Sequence, residues 1–415
     1  MAREMKNSGI SYFGEIPAQW QVIRNGYLFR NSKEIVLPNR NYQLLSLSTK
    51  GVREKDINDV GGKVPDNYDG YQIVHPNDMV MCLFDIDCSA VFSGLSNYYG
   101  MISPAYKILK CKSEILPKFA HYIFSYIGGR RLYKQYSKNL RYTLNVDDFM
   151  SLALIVPPLT EQKAIADFLD AKCGEIDGLL TDLDVEVKTL TEYKKSIIAE
   201  TVTRGLNPNA PTKSSGIPWA ESIPAHWTIQ KGKYTFKLLQ RPVKEDDGVI
   251  TCFRDGEVTL RSNRREDGFT MSEKEYGYQG IEPGDLVVHG MDGFAGSIGI
   301  SDSRGKATPV LNVLDSNHNK RYLMYYLRNM AYGNVFLALS TGIRVRSCDL
   351  SWKKLGEIRI VLPTIDEQIK IANYLDSKCA AIDQAITDKT QQIETLKAYK
   401  SSLIYEYVTG KKQVL

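Results

Sequence analysis

The sequence predicts an α/β protein of the mixed α+β kind. Two globular domains are separated by two long helices that form an intramolecular antiparallel coiled coil with a pseudo-two-fold internal repeat. Three observations predict this. The chain repeats itself at an offset of about 206 residues, the repeated segments carry an apolar heptad pattern, and the segments before them alternate short apolar runs with Gly, Asn and Asp turns.

Length and composition limit the class of protein. A chain of 415 residues suits two or three domains, and 43% hydrophobic with 24% charged residues is typical of a globular protein. A polar N-terminal segment without an apolar core argues against a secretory signal, and no apolar run approaches the ~20 residues of a membrane span. We therefore expect a cytoplasmic protein without a membrane partner. None of the seven cysteines has CxxC spacing, so neither a zinc site nor a disulfide framework is predicted.

The repeat sets the predicted domain boundaries. Residues 155–206 align with 361–412 without a gap, and 22 of the 52 positions are identical. Upstream of each, GISYFGEIPAQWQVIRNGYLF (Gly9 to Phe29) matches GIPWAESIPAHWTIQKGKYTF (Gly216 to Phe236) at an offset of 207. The order is therefore module, helix, module, helix. The predicted segments are a first domain 1–156, a central helix 157–207, a second domain 208–362 and a C-terminal helix 363–415.

The repeated segments are predicted to be helices with a coiled-coil seam, because apolar residues recur every seven positions. The predicted start signals are Thr160 before Glu161-Gln162 and Asp366 before Glu367-Gln368. The seam residues are Leu169, Ile176, Leu183, Leu190 and Ile197 in the first helix and Leu375, Ile382, Leu396 and Leu403 in the second.

So long and narrow a helix needs a partner, and its twin in the same chain is the nearest one. Pseudo-two-fold symmetry favours an antiparallel pair, while a parallel pair or pairing with another chain is the alternative. Lys194, Lys389 and Lys400 interrupt the seam, where they either set the register or mark the place of another partner.

Each module is predicted to contain short strands, such as Tyr42 to Ser48, Asp78 to Phe84 and Ala105 to Lys110, and one amphipathic helix. These helices are Leu116 to Tyr136 and Lys320 to Ser340. The flanks of the two modules match, but residues 31–74 and 238–281 share little. A duplicated enzyme would be expected to repeat its catalytic residues. A repeated scaffold with two different surfaces is better suited to recognising two different targets.

The sequence lacks two motifs that catalytic proteins of the relevant classes carry. It contains no GxxxxGK[ST] phosphate loop and no Asn/Asp-Pro-Pro-aromatic loop of an amino-methyltransferase. Asp85 and Asp87 could suggest a nuclease carboxylate pair, yet the aligned region near Asp292 offers no second acid. The five histidines have no metal-ligand spacing. We therefore predict neither a catalytic nor a metal site.

The charge distribution points weakly to nucleic acid. Residues 1–155 and 207–360 carry net charges of +5 and +4, whereas residues 156–206 carry −4 and residues 361–415 carry none. Arg and Lys contact phosphates, and Arg also reads guanine edges. The candidate DNA-binding residues are Arg130, Arg131, Lys134, Lys138 and Arg141 in the first module and Arg241, Arg261, Arg264, Arg265, Arg344 and Arg346 in the second.

These motifs carry a family likeness. Each module opens with I-P-A-x-W (Ile16 to Trp20, Ile223 to Trp227), and each helix opens with P-x-x-x-E-Q (Pro157 to Gln162, Pro363 to Gln368). Over essentially the whole chain this plan resembles the specificity subunit of Type I restriction-modification systems. The resemblance implies that each module is a target recognition domain reading one half of a bipartite site in double-stranded DNA. It also implies that the helices set the gap and dock two modification (methyltransferase) subunits, which restriction (endonuclease and translocase) subunits join.

The same resemblance implies that this chain holds no cofactor, and that S-adenosylmethionine, ATP and Mg belong to the partner subunits. Two alternatives stay open at this stage. One is a self-contained methyltransferase or nuclease with duplicated recognition domains, and the other is a coiled-coil interaction scaffold without DNA binding. Catalysis by the purified chain would identify the first, and absence of salt-dependent affinity for duplex DNA would identify the second.

Overall fold

The structure is a computed structural model, and it describes residues 3–37, 41–49, 51–56, 68–138, 141–264, 276–338 and 350–414. The chain divides into two compact units. Unit 1 comprises Met1–Asp184 with Gln391–Leu415, and unit 2 comprises Val185–Thr390. Each unit therefore contains one module, the first part of the helix that follows that module and the last part of the other long helix.

Unit 1 contains a four-stranded antiparallel sheet in the order β4-β11-β8-β9 and the two-stranded pairs β1-β2, β3-β12, β7-β10 and β5-β6. Its strands are β1 Met5–Asn7, β2 Glu15–Pro17, β3 Gln21–Arg24, β4 Phe29–Ser32, β5 Leu45–Ser48, β6 Gly51–Glu54, β7 Gln72–Val74, β8 Met79–Met81, β9 Ser93–Leu95, β10 Gly100–Ile102, β11 Lys107–Cys111 and β12 Ala153–Val156. Its helices are α1 Asn25–Leu28, α2 Pro117–Gly129, α3 Val146–Ser151 and the first part of α4 Leu159–Arg204.

Unit 2 has the corresponding sheet in the order β16-β23-β20-β21, with the pairs β13-β14, β15-β24, β19-β22 and β17-β18. Its strands are β13 Thr212–Ser214, β14 Ser222–Pro224, β15 Thr228–Lys231, β16 Lys237–Leu238, β17 Ile250–Cys252, β18 Val258–Leu260, β19 Gln279–Ile281, β20 Leu286–His289, β21 Ile298–Ile300, β22 Gly305–Ala307, β23 Leu311–Asp315 and β24 Arg359–Leu362. Its helices are α5 Gly232–Thr235, α6 Lys320–Tyr332, α7 Val335–Ala338, α8 Trp352–Leu355 and the first part of α9 Ile365–Val408.

The two units share one strand topology, including the regions where their sequences diverge. The hairpin β5-β6 corresponds to β17-β18, and the pair β7-β10 corresponds to β19-β22. Strand pairing is therefore retained although residues 31–74 and 238–281 share little sequence. The predicted mixed α+β fold with an internal repeat is confirmed.

Within each unit the long helices run antiparallel. In unit 1 the Phe168 ring of α4 lies 4.4 Å from the Tyr407 ring of α9, and Lys400 of α9 bonds to Asp177 of α4. In unit 2 Lys194 of α4 bonds to Asp383 of α9. In both units, a residue late in one helix meets a residue early in the other.

The seam positions face the partner helix in the way that a coiled coil requires. Leu169, Ile176, Ile197, Leu375, Ile382 and Leu403 are buried, and Leu183, Leu190 and Leu396 are half-buried. The first unit's core includes Leu169, Ile176 and Leu403, and the second unit's core includes Ile197, Leu375 and Ile382. The seam is thus continuous with the core of each module.

The seam lysines each pair with a carboxylate on the opposite helix. Lys194 lies 2.6 Å from Asp383 and Lys400 lies 2.6 Å from Asp177, and the two pairs occupy equivalent positions of the repeat. Lys389 pairs with Glu186. These contacts favour the reading in which the lysines set the register, because a shift of either helix would separate all three pairs.

Two local predictions were wrong. Both long helices begin one residue before the predicted start signals, at Leu159 and Ile365. For α9 the cap is Thr364, whose hydroxyl accepts from the Glu367 backbone N–H while the Glu367 carboxylate accepts from the Thr364 N–H. This reciprocal arrangement is a capping box, so Asp366 belongs to the first turn.

The amphipathic helix predicted for residues 116–136 is interrupted. Helix α2 ends at Gly129, and Arg131 has a left-handed backbone with φ of 52° before a short 3-10 turn at Leu132–Tyr136. In unit 2, α6 ends at Tyr332 and Asn334 has a φ of 57° before α7. The predicted second helix ran to Ser340, beyond the last residue that is described there.

Candidate nucleic-acid interface

The basic segment after α2 contributes five of the predicted DNA-binding residues, and the structure places them on the surface of unit 1. The Arg130 guanidinium lies 5.8 Å from the ring of Tyr126 and 5.2 Å from that of Tyr405. Arg130 therefore stacks on aromatic rings from both the module and α9. Arg131 is exposed at the left-handed turn.

The other three basic residues of this segment are held by neighbours. Lys134 lies 4.4 Å from the Tyr142 ring. Lys138 pairs with Asp148 at 2.9 Å, and Arg141 donates two hydrogen bonds to Asp85 at 3.1 and 3.2 Å. Since these pairs neutralise their charges, Lys138 and Arg141 would have to exchange an internal partner for a phosphate.

In unit 2 two of the predicted arginines are engaged in ion pairs. Arg241 donates two hydrogen bonds to Asp285, whose carboxylate is 4% exposed, so this pair is structural. Arg264 bonds to Asp255 at 2.7 Å and lies 4.3 Å from the Phe253 ring. Arg261 contacts the Thr251 hydroxyl. Arg265, Arg344 and Arg346 lie outside the described residues.

The repeated Glu-Gln dipeptide ties each long helix to its module. Gln162 is fully buried, where its amide donates to the Glu114 and Pro157 carbonyls and its oxygen accepts from the Leu116 N–H. Gln368 makes the corresponding bonds to the Pro363 carbonyl and the Asn319 N–H. Each glutamine thus satisfies backbone groups at the start of α2 or α6.

The glutamates of the same dipeptides hold the repeated tryptophans. The Trp20 indole N–H donates to Glu161 at 3.0 Å, and Arg3 pairs with the same carboxylate. Trp227 donates to Glu367 at 3.4 Å, with the His226 ring nitrogen 2.9 Å away. Burial raises the pKa of Glu367, but hydrogen bonds from His226 and Thr364 outweigh it and the pKa lies below its usual value. Both tryptophans are buried and serve packing.

A third matched contact joins α2 to α4 and α6 to α9. The Tyr122 hydroxyl donates to Asp170 at 2.7 Å, and the Tyr325 hydroxyl donates to the equivalent Asp376 at 2.8 Å. Burial is the main cause that raises the pKa of both tyrosines. The module and the helix therefore form one packed body within each unit.

The sequence reasoning missed two pairs of exposed tyrosines at matched positions. Tyr27 and Tyr234 are 70% and 73% exposed, and Tyr193 and Tyr399 are both 55% exposed. Their identity across the repeat was visible in the sequence, but their exposure was not. Because large aromatic side chains are normally more fully covered, an exposed pair at matched positions indicates a candidate interaction surface.

The described residues contain no group of three or more His, Cys, Asp or Glu placed to hold a metal ion. Among the described helices, none is both long enough and apolar enough to cross a membrane.

The comparisons with known proteins agree with the repeat plan. The chain is 24% identical over 444 aligned residues to the "Putative type I restriction enzyme MjaX specificity subunit" of Methanocaldococcus jannaschii, covering 97% of this chain and 95% of the relative. No protein-family model matches the chain. The predicted resemblance to specificity subunits of Type I systems is confirmed by this relative.

One solved structure shows the same fold. It is titled "Structural basis underlying complex assembly and conformational transition of the type I R-M system", superposes with a TM-score of 0.68 at 14% identity and covers 96% of this chain and 99% of its own. The HsdS subunit from Thermoanaerobacter tengcongensis has a TM-score of 0.48 at 14% identity, covering 96% and 98%. The fold assignment rests on the first of these.

Proposed function

We propose that the chain is the DNA sequence-specificity subunit of a Type I restriction-modification complex and that it carries no catalytic site of its own. One observation carries this most directly. A single fold occurs twice, and the two copies share their helix anchors while their sequences diverge in residues 31–74 and 238–281. Such a chain presents two different readers on one repeated frame, as a bipartite asymmetric DNA site requires.

The long helices supply the second half of the proposal. Each belongs partly to unit 1 and partly to unit 2, and interhelix ion pairs set its register in both. This continuity supports a role in setting the gap between the half-sites. The repeat also provides two quasi-equivalent helix surfaces, which suit two copies of one methyltransferase subunit.

Under this proposal the catalytic reactions are carried out by the partner subunits. Methylation with S-adenosylmethionine is assigned to the two modification subunits, and ATP- and Mg-dependent cleavage to the restriction subunits that join them. This division rests on the resemblance and on the absence of phosphate-loop and methyltransferase motifs from the sequence. It assigns DNA reading and assembly to this chain.

The proposal is tested by methylating genomic DNA with the reconstituted complex and mapping the modified bases. We expect one bipartite sequence with a constant gap. A complex in which residues 1–155 are replaced by another first module should keep one half-site and change the other. Modification without sequence preference, or a change in both halves, would contradict the proposal.

Tyr193 and Tyr399 are the proposed anchors of the two methyltransferase subunits. They are identical, equally exposed and at equivalent positions of the repeat, and Tyr193 lines a surface pocket with Lys188, Thr189, Glu192 and Ser196. Tyrosine is enriched among binding hot spots, which cost about 2 kcal/mol or more when truncated. Tyr193→Ala or Tyr399→Ala should therefore weaken one docking site by about 30-fold.

Native mass spectrometry at a methyltransferase concentration that just saturates the parent chain provides the measurement. Each single variant should retain one methyltransferase subunit per chain, and the double variant should retain none. Tyr374, which is 37% exposed on α9 and is Phe168 in the other copy, offers a control substitution to Ala. Two tightly held subunits on the double variant would rule out these tyrosines as anchors.

A further inference from the structure

A second matched surface lies in the modules themselves, in the turns that join β3 to β4 and β15 to β16. Residues 24–30 read RNGYLFR and residues 231–237 read KGKYTFK. We call these the first and second tyrosine turn. Both place a cation three residues before and three residues after the exposed tyrosine, and both bury the phenylalanine two residues after it, Phe29 or Phe236.

The first tyrosine turn is held rigidly from beneath. The buried Asn25 side chain donates to the Phe149 carbonyl at 2.9 Å, and the Asn25 backbone N–H donates to the Leu152 carbonyl. Lys112, which follows β11, donates through its ammonium to the Gly26 carbonyl at 2.7 Å. An ammonium group is thus bound to the backbone next to Tyr27.

The second tyrosine turn reaches the same arrangement with different residues. The Gly232 and Lys233 N–H groups donate to the Ile358 and Gly356 carbonyls, both at 2.8 Å. A Cβ at Gly232 would lie 2.1 Å from the Leu355 carbonyl oxygen, so the turn packs closely on its support. The Lys233 ammonium lies 5.5 Å from the Tyr234 ring. Both turns therefore present a tyrosine with a cation beside it.

The charge of both turns is positive. Residues 24–30 and 231–237 contain no acidic residue, and Lys112 adds to the first turn. In the second turn Lys231 and Lys233 share Glu357, at 2.6 and 2.8 Å, and their hydrogen bonds lower the pKa of that carboxyl to about 2. Lys237 is exposed, as is Arg30 at the matched position.

The duplication identifies the kind of partner. Surfaces that read different half-sites should differ between the modules, whereas a surface kept in both must meet something that is the same at both. The phosphate backbone of DNA is the same at every sequence and is anionic, and Arg, Lys and Tyr side chains are among its usual contacts. A methyltransferase subunit would also meet both modules. A shared protein partner, however, does not explain why each turn has a cation at both ends, whereas an anionic backbone does.

We propose that the two tyrosine turns bind the phosphate backbone of duplex DNA, as a sequence-independent clamp used identically by both modules. This rests on the proposed function and adds which residues position the duplex without reading it. The tyrosine hydroxyl donates to one phosphate, and the exposed cations, Arg24 and Arg30 in the first turn and Lys237 in the second, neutralise its neighbours. Base reading is left to the divergent parts of each module.

The test measures affinity of the reconstituted methyltransferase complex for duplex DNA over a range of salt concentrations. Arg30→Gln and Lys237→Gln should each make the plot of log affinity against log salt less steep by about 0.9, and the double variant by about 1.8. Tyr27→Ala and Tyr234→Ala should each lower affinity by roughly 10-fold or more, the value of one hydrogen bond to a charged group. The mapped target sequence should not change in any of them.

Matched controls separate this clamp from a general charge effect. Lys163 and Lys172 are exposed on α4 and paired with Asp167 and Glu175, so Lys163→Gln with Lys172→Gln removes the same charge and should leave the salt slope unchanged. Unchanged salt slopes in the Arg30 and Lys237 variants would overturn the inference. The proposed function would still stand if the parent complex bound its target sequence specifically. Loss of methyltransferase subunits from these variants would also overturn the inference, by making the turns a protein-docking surface.

Discussion

Inserting seven residues into each long helix is expected to lengthen the gap between the two half-sites and to leave both half-sites unchanged. The insertion points are between Asp184 and Val185 in α4 and between Thr390 and Gln391 in α9, where the compact units divide. Seven helical residues add about 10 Å of rise, which corresponds to about 3 bp at 3.4 Å per base pair. A heptad keeps the seam in phase, so the core contacts inside each unit are preserved.

Mapping methylated sites with the insertion variant provides the measurement. A variant with the heptad in α4 alone is the control, because it displaces one helix against the other. Such a displacement separates Lys194 from Asp383 or Lys400 from Asp177, and we expect that complex to lose specific modification. An unchanged gap in the double insertion would mean that the helices do not measure the distance between half-sites.

The sequence predicted the repeat, the mixed fold and the antiparallel helix pair, because each depends on periodic patterns that extend over many residues. A seam such as Leu169, Ile176 and Leu183 is defined by spacing alone. Antiparallel pairing followed from the symmetry of the duplication. None of these features depends on the geometry of one particular contact.

The ends of the short helices and the ion pairing of the basic residues could not be predicted in the same way. Arg131 adopts a left-handed conformation that non-glycine residues seldom adopt, so the sequence did not mark the end of α2 there. The candidate DNA contacts stay a prediction. The sequence of the basic segment could not show which of its cations form ion pairs within the protein. Arg141, for instance, bonds to Asp85, 56 residues earlier. By contrast, the capping box of Thr364 and Glu367 was visible in the sequence, although the start signal was placed at Asp366.

Replacing Gln162 by Ala is expected to destabilise unit 1 by about 3 kcal/mol. The side chain is fully buried and satisfies two carbonyls and one N–H, with distances of 2.9, 2.9 and 2.8 Å. Alanine leaves all three groups without that partner, and an unsatisfied buried polar group costs about 1–3 kcal/mol. A loss of this size lowers the midpoint of thermal unfolding by roughly 10 °C in a unit of about 200 residues.

Gln392→Ala is the matched control, because Gln392 is exposed on α9, and a change within about 0.5 kcal/mol is expected there. Hydrogen exchange resolved by peptide then locates the effect. Gln162→Ala should raise exchange at residues 113–117 and not at 318–321, and Gln368→Ala should do the opposite, since Gln368 accepts from the Asn319 N–H. Exchange that rises equally in both segments would show that the dipeptide does not act locally. The repeated Glu-Gln would then need another explanation than the anchoring of each module to the helix that follows it.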